Sequence, residues 1–173
     1  MTKAVELRRH TDNDGDALTP DGVRAALEIG ARLHGDYELL VSSGMQRATQ
    51  TLACFLAGLG QRVPEGVVVE HGLRTESEGR WREIYGQTGK PDLESFRAAD
   101  PDFVEAEEAR LGAALARVFA ALPDGGRALA VGHSPTNEAA VFALTGETVG
   151  PLAKGAGVLV VAEGAEHRVE MLD

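Results

Sequence analysis

Short apolar runs alternate along this chain with longer segments of helical period. Four runs predict strands because they are apolar or β-branched and end at polar or glycine residues, at positions 4–9, 38–42, 67–69 and 128–131. Between and after them, apolar side chains recur at helical spacing and predict helices at positions 20–34, 46–59, 102–122 and 135–144. Two further apolar runs, at 157–162 and 167–172, predict a closing β-hairpin.

Two of the predicted helices begin with recognisable capping residues. Thr19 followed by Pro20 is typical of an N-cap with proline at the first helical position, and Ser134 is expected to cap the helix at 135–144. Polar residues 11–16 predict a loop after the first strand. Residues 72–91 are polar and glycine-containing without a clean period, and we expect an ordered excursion over the sheet there.

Strands that alternate with helices predict an α/β fold. We expect a three-layer αβα sandwich with a mostly parallel central sheet and right-handed crossovers, in which the C-terminal hairpin supplies an antiparallel edge strand. The chain has 173 residues and no linker-like segment, so we expect a single domain over residues 1–173.

Composition and charge exclude several classes of protein. Hydrophobic residues make up 43% and charged residues 25%, which is typical of a globular protein. A formal net charge of −10 argues against a nucleic acid or an anionic membrane as partner, because either normally requires a basic face. The N-terminus enters a strand-like run without the basic and apolar regions of a secretory signal, so we expect a cytoplasmic protein.

The single cysteine, Cys54, lies in an apolar helical pattern. A lone cysteine forms neither a disulfide nor a cysteine metal site within one chain, and we interpret it as a buried core thiol. We expect no metal and no cofactor.

Reactive side chains follow the predicted strands. In open α/β sheets, ligands bind outside the carboxyl ends of the strands, so the residues at these ends are the first candidates for a site. The strand ends carry Arg9-His10, Ser42-Ser43 with Arg47 one turn into the next helix, Glu70-His71, and Gly132-His133-Ser134. Three of the five histidines therefore lie at strand ends.

Histidines, arginines and helix N-termini that converge on one edge form an anion pocket. Arg8, Arg9 and Arg47 stand out in an otherwise acidic chain, and arginine matches the bidentate oxygens of phosphate. A largely neutral histidine near pH 7 can attack phosphorus to give a phosphoramidate that water discharges. Arg9, Arg47 and a protonated His133 would then stabilise the charge on the equatorial oxygens without a metal.

These residues resemble the histidine phosphatase superfamily, which includes cofactor-dependent phosphoglycerate mutases and SixA-like phosphohistidine phosphatases. The resemblance spans nearly the whole chain in order, at residues 7–11 (LRRHT), 18–22 (LTPDG), 42–51 (SSGMQRATQT) and 131–135 (VGHSP). It implies that His10 is the phosphorylated nucleophile, that Arg9 and Arg47 are phosphate ligands, and that His133 is the second pocket histidine.

Three positions depart from the family pattern. Thr11 and Ser134 stand where glycine is frequent, and we assign both to substrate binding. Residues 73–83 (LRTESEGRWRE) align with the segment that carries the general acid in many members, but Thr75 occupies the acid position. Glu76 is the first replacement candidate, with Glu78 and His71 as weaker ones.

The absence of an acidic side chain at position 75 affects which phosphorylated substrates the protein is expected to hydrolyse. An alkyl phosphate leaves as a high-pKa alkoxide and benefits from a general acid, whereas a phenol or the imidazole of phosphohistidine leaves with less help. The resemblance therefore implies hydrolysis of a phosphorylated small molecule or a phosphohistidine protein, with activated phosphates favoured. The alternatives are a phosphoglycerate mutase-type phosphotransferase and a non-catalytic phosphate-binding module.

Four side chains of the 72–91 segment have two interpretations. They line the entrance and select an anionic or aromatic substrate, or they form a solvated rim around one anchoring tryptophan. They are Arg74, Arg80, Trp81 and Arg82.

Overall fold

A six-stranded sheet forms the middle layer of the protein, which a computed structural model describes over residues 1–173. Its strands are β1 (Thr2–Arg9), β4 (Leu39–Ser42), β5 (Val67–Val69), β6 (Arg127–Gly132), β7 (Gly157–Glu163) and β8 (Glu166–Leu172). Across the sheet the strands lie in the order β5-β4-β6-β1-β7-β8. A separate small hairpin consists of β2 (Asn13–Asp14) and β3 (Ala17–Leu18).

Six helices cover the two faces of the sheet. They are α1 (Pro20–Arg32), α2 (Gln46–Leu59), α3 (Glu78–Thr88), α4 (Leu93–Ala99), α5 (Pro101–Ala121) and α6 (Thr136–Thr145). Apolar residues of α1 and α2 form one core cluster with the sheet, and those of α3 to α6 form a larger cluster on the other face.

The period of two along each strand divides its side chains between these two cores. In β6, Ala128 and Ala130 face the larger cluster, while Leu129 and Val131 face α1 and α2. This arrangement confirms the three-layer αβα sandwich.

Strand directions also agree with the expected mostly parallel sheet. Strands β5, β4, β6 and β1 are mutually parallel, and β7 pairs antiparallel with both β1 and β8. The edge strand β8 thus has an antiparallel neighbour, and β7, one position in from the edge, is the strand that runs against the others. At the opposite edge, the three valines of β5 are each 42–53% exposed.

The segment at residues 72–91 differs most from its sequence interpretation, because most of it is helical. A 3-10 turn covers His71–Leu73, α3 follows, and α4 begins shortly beyond the segment. Each of these helices is short and buries only two apolar side chains, Trp81 and Ile84 in α3 and Leu93 and Phe96 in α4. Two buried positions per helix are too few to define a period, although Asp92 caps α4 by accepting from Ser95 N at 2.9 Å.

Two smaller expectations were also wrong. Residues 11–16 hold most of the β2–β3 hairpin instead of an irregular loop. The helix α6 starts at Thr136, and Ser134 does not cap it; the Ser134 hydroxyl donates to Glu138 instead. The N-cap at Thr19 is confirmed, since its hydroxyl accepts from Gly22 N at 3.0 Å. No helix is both long and apolar enough to cross a membrane.

Parallel register brings the strand ends together. Arg9 pairs with Gly132 across β1 and β6, and His10 N donates to Gly132 O at 3.1 Å. On the other side of β6, Ser43 N donates to Val131 O at 3.1 Å. The residues that follow β1, β6 and β4 therefore lie side by side at one edge of the sheet.

Candidate active site

Two imidazoles meet at this edge of the sheet. The rings of His10 and His133 have centroids 5.3 Å apart and an interplanar angle of 58°. Both side chains are nearly buried, at 5% and 7% exposure, and both line the same cavity. The sequence placed both at strand ends, and the parallel pairing of β1 with β6 makes these two ends neighbours.

The protonation pattern of His10 follows from its one hydrogen bond. Its Nδ1 lies 2.8 Å from Thr11 O, and because a carbonyl can only accept, Nδ1 carries the proton. The lone pair is therefore on Nε2. Burial, the largest cause, and the positive charges of Arg47 and Arg9 together lower the pKa of His10 to about 4, although the Thr11 hydrogen bond opposes them.

His133 is also neutral in this site. Burial, the largest cause, and the charge of Arg47 together lower its pKa to about 3. A protonated His133 stays a prediction for the phosphate-bound pocket. Its Nε2 lies 2.7 Å from the Ser43 hydroxyl, while its Nδ1 is buried without a partner.

A hydrogen-bond network holds the backbone of His133. His133 N donates to Asn137 Oδ1 at 3.2 Å, and Asn137 Nδ2 donates to Arg8 O at 3.1 Å. A Cβ on Gly132 would lie 2.3 Å from Asn137 Oδ1, so glycine at this position is what allows the amide to approach. Asn137 thereby joins β1, β6 and α6 behind the two histidines.

Arg9 is held on one side and free on the other. Its Nη1 donates to Leu152 O at 2.8 Å, while its Nε is buried without a protein partner. The Nε–Nη2 edge of the guanidinium is thus left for an oxyanion. Burial lowers the pKa of Arg9, although the carboxyl of Glu138 opposes this effect.

Glu138 lies behind Arg9 and is almost completely buried, at 2% exposure. Its Oε1 accepts from the Ser134 hydroxyl at 2.5 Å and from Leu152 N at 2.9 Å, and its Oε2 has no partner. Burial raises the pKa of this carboxyl, and the two hydrogen bonds oppose the shift. The backbone of Leu152 is therefore held by Glu138 through its N–H and by Arg9 through its carbonyl.

Arg47 projects from the first turn of α2 and is held by two carboxylates. Its Nη1 donates to Asp16 at 3.0 Å and its Nη2 to Glu78 at 2.5 Å. Asp16 also accepts from the backbone N–H groups of Gln46 and Arg47, at 3.1 and 3.2 Å. Because the α2 N-cap residue, Met45, makes no side-chain cap, Asp16 of the β2–β3 turn caps this helix from another element.

The cavity around these groups has a volume of about 800 Å³. This is within the range of pockets that hold a small organic ligand and is far larger than a phosphoryl group needs. Besides Arg9, His10, Arg47 and His133, the β2–β3 hairpin, α3 and α4 line it, together with Ser134 and Lys154.

The expected acid candidates occupy different places. Glu76 lies outside the cavity: its side chain is 77% exposed and pairs with Arg74 at 3.4 Å. His71 does not line the cavity either, whereas Thr75 and Glu78 do. Of the three acid candidates, Glu78 is the one that contacts a phosphate ligand, because its carboxylate accepts from Arg47.

Two other residues also depart from their expected positions. Thr11 does not line the cavity; its hydroxyl donates to Gly22 O at 2.8 Å, and its N–H donates to Thr51. Arg8 points away from the pocket, because its Nε donates to Glu6 at 2.7 Å and its Nη1 to Gly155 O and Asp173 O at 2.9 Å. Thr11 instead contributes its carbonyl, which orients His10.

Sequence reasoning missed three polar residues that shape the pocket: Asp16, Asn137 and Glu138. A signal existed for Asn137 and Glu138, which are polar residues directly before the apolar run of α6. Asp16 gave no such signal, since aspartate in a turn is ordinary.

Chemically, the site can hold a tetrahedral dianion next to a neutral imidazole. Two guanidinium groups provide charge-assisted donors, and the lone pair on His10 Nε2 provides a nucleophile.

The chain is similar to known proteins in sequence pattern and in fold. The family model of the histidine phosphatase superfamily (branch 1) matches residues 2–157. No curated protein sequence matches the chain.

Solved structures share the fold at low sequence identity. A phosphoglycerate mutase from Bacillus anthracis str. Sterne is 18% identical with a TM-score of 0.71, and the match covers 99% of this chain and 92% of that one. The protein histidine phosphatase SixA complexed with tungstate is 20% identical with a TM-score of 0.62, covering 98% and 96%. A phosphoserine phosphatase from Entamoeba histolytica in complex with 3-phosphoglyceric acid is 15% identical with a TM-score of 0.74, covering 99% and 97%.

Proposed function

Because the chain belongs to branch 1 of the histidine phosphatase superfamily, we propose that it hydrolyses a phosphate monoester or phosphohistidine through a phosphohistidine intermediate on His10. The observation that carries this proposal is the fixed tautomer of His10. Its Nδ1–H is held by Thr11 O, so the lone pair on Nε2 is available in a cavity that Arg9 and Arg47 also line.

In the first step, His10 Nε2 attacks phosphorus and the bond from phosphorus to the leaving oxygen or nitrogen breaks, with its electron pair going to the leaving group. The ring becomes a phosphoimidazolium whose Nδ1–H donates to Thr11 O. The free edge of Arg9 and the guanidinium of Arg47 stabilise the charge on the equatorial oxygens. A bound oxyanion would also supply the partner that buried Arg9 Nε lacks.

In the second step, water attacks phosphorus and the P–N bond breaks. Its electron pair returns to Nε2, dihydrogen phosphate leaves, and the neutral tautomer of His10 is restored. No cofactor takes part in either step.

The carboxylates around the pocket support a preference for good leaving groups. Glu76 is outside the cavity, and the carboxylate of Glu78 is engaged by Arg47, so neither is placed to donate to a leaving alkoxide. Aryl phosphates or phosphohistidine, which leave with less help, are therefore the favoured substrates. Equal kcat/KM values for an aryl phosphate and for alkyl esters such as 3-phosphoglycerate would contradict this preference.

Chain length does not separate a phosphatase from a mutase-type phosphotransferase. The match with the phosphoglycerate mutase structure from Bacillus anthracis covers 92% of that chain. Phosphate release to water, measured against transfer to an added hydroxy acid, distinguishes the two reactions.

Detection of the intermediate tests the proposal directly. Brief exposure to 4-nitrophenyl phosphate, an alkaline quench and peptide mass spectrometry should give one phosphoryl group on the His10 peptide. His10→Ala should lose it together with turnover, whereas His34→Ala, which alters an exposed histidine, should keep both. Tungstate binding without any phosphorylation or turnover in the wild type would favour the non-catalytic binding module instead.

A further inference from the structure

The cavity extends well beyond the phosphate ligands, and α3 forms one wall of this extension. Four α3 residues line it, at positions 78, 81, 82 and 85. Their spacing of i, i+3, i+4 and i+7 places them on one face of the helix. The first of them, Glu78, contacts Arg47, so this face runs outward from the phosphate pocket.

Helix geometry gives the length of this wall. At 1.5 Å per residue, Arg82 lies about 6 Å and Tyr85 about 10 Å along the axis from Glu78. A leaving group of one ring with one substituent has this length.

Arg82 is free to bind a ligand, unlike the neighbouring cations. Arg80 pairs with Asp100 and Glu83, Arg74 with Glu76, and Lys154 with Asp12. Arg82 forms no ion pair or hydrogen bond with another residue, although the chain carries a net charge of −10.

Tyr85 offers an aromatic surface one turn further along. Its side chain is 48% exposed, while the neighbouring Trp81 is 4% exposed and fixed by its Nε1 donating to Glu107 at 3.1 Å. Trp81 also stacks edge-on against Phe96 and Phe103, with ring centroids 5.1 Å apart in each pair. The buried tryptophan thus keeps the wall rigid.

We propose that Arg82 forms a leaving-group subsite, which selects phosphate esters whose leaving group is a ring bearing a second anionic group. This inference rests on the proposed function and names the substrate class of the same site. Arg82 pairs with the distal anion, and Tyr85, one turn further out, lines the outer part of the cavity.

A matched pair of substrates tests the role of Arg82. The kcat/KM ratio of 4-carboxyphenyl phosphate to phenyl phosphate is measured in the wild type and in Arg82→Gln. Since the two phenols differ in leaving-group pKa, the comparison is between the ratios, in which that difference cancels. We expect the ratio to fall about threefold to fivefold in Arg82→Gln, as for a partly exposed ion pair.

Two control variants sharpen this test. Arg82→Lys keeps the charge and should keep most of the ratio, and Arg62→Gln, which alters an exposed arginine outside the cavity, should leave it unchanged. In 0.5 M NaCl the wild-type ratio should approach that of Arg82→Gln because salt screens the pair. An unchanged ratio in Arg82→Gln would overturn the proposed anion contact.

Turnover of phenyl phosphate by the wild type tests the proposed function by itself. Phenyl phosphate turnover with an unchanged ratio therefore rejects the subsite alone, whereas no turnover of any ester, with no phosphorylated His10, rejects the proposed function.

Discussion

His10 and His133 are held neutral at the cost of stability in acid. Their pKa values, about 4 and about 3, lie below the value of about 6.5 of an unfolded histidine. The unfolded chain therefore binds protons at a higher pH than the folded chain does. Stability contributed by these neutral rings is fully present above pH 6.5 and is lost as the pH falls towards the folded pKa values.

For His10 this loss amounts to about 2 kcal/mol between pH 7.5 and pH 5. We expect His10→Ala to show a correspondingly flatter dependence of unfolding free energy on pH, measured by urea denaturation in phosphate-free buffer. His34→Ala, at an exposed position, should retain the wild-type slope. A slope that is identical in all three proteins would mean that His10 titrates normally in the fold.

Glu138 is another buried ionisable group at the pocket. Its contacts connect it to Arg9 through the backbone of Leu152. Glu138→Gln keeps an oxygen that can accept from Ser134 and Leu152 N, so we expect a KM within about threefold of the wild type. Glu138→Ala leaves Leu152 N unsatisfied, which costs about 1–3 kcal/mol of stability, and it loosens the support of Arg9. We expect kcat/KM to fall about tenfold in this variant.

Steady-state kinetics and urea denaturation of the two variants separate the possible roles of Glu138. Glu105→Ala, at an exposed position of α5, controls for loss of a carboxylate. If Glu138→Ala is destabilised but retains the wild-type kcat/KM, Glu138 acts on the fold alone and not on Arg9.

Among the secondary structure elements, the short β2–β3 hairpin contributes both to the capping of α2 and to the position of Arg47. It delivers Asp16 to the N-terminus of α2, where the carboxylate accepts from two backbone N–H groups and from the Arg47 side chain. The same carboxylate both orients Arg47 and competes with a phosphate dianion for it. The pKa of Asp16 is lowered by these hydrogen bonds and by the charge of Arg47, although burial opposes the shift.

Two substitutions at Asp16 separate its capping role from its charge. Asp16→Ala removes the cap and should cost about 0.5–2 kcal/mol of stability. Asp16→Asn keeps an oxygen for the backbone N–H groups but removes the competing charge, so we expect near wild-type stability and a KM for aryl phosphate at least twofold lower. Asp14→Ala, which alters another exposed aspartate of the same hairpin, should change neither the stability nor the KM. A higher KM in Asp16→Asn would mean that the carboxylate is needed to orient Arg47.

Considered as a whole, the protein is strongly acidic and concentrates cationic side chains in one cavity. The net charge is −10, yet Arg9, Arg47, Arg82 and Lys154 all line the same space. Buried donors without partners and desolvated arginines destabilise the unliganded fold, and an oxyanion relieves both effects. Occupancy of the pocket should therefore stabilise the entire fold.

Tungstate at about 100 times its dissociation constant should stabilise the folded state by about 2.7 kcal/mol and raise Tm by roughly 5–10 °C. Thermal scans of the wild type, Arg47→Ala and Arg62→Gln at matched tungstate concentrations check this expectation. The shift should disappear in Arg47→Ala and persist in Arg62→Gln. An equal shift in all three proteins would place tungstate elsewhere.

The amino-acid sequence by itself determined where along the chain the main-sheet strands and the principal helices lie. Apolar side chains at period two or 3.6 mark one face of each element, and this information is local. It also predicted that His10 and His133 lie at one edge of the sheet, because the carboxyl ends of parallel strands meet there. The pairing of β1 with β6, which makes the two histidines neighbours, was decided by the tertiary structure. The short helices α3 and α4 escaped detection because each buries only two apolar side chains.

Only the tertiary structure decided how polar groups from distant segments pair. It separated Glu78, which contacts Arg47, from Glu76, which is in solvent two residues away. It also brought Asp16 to α2 and Glu138 to the Leu152 peptide. These partners are selected by hydrogen bonding and desolvation between segments far apart in sequence, and no local period carries that information.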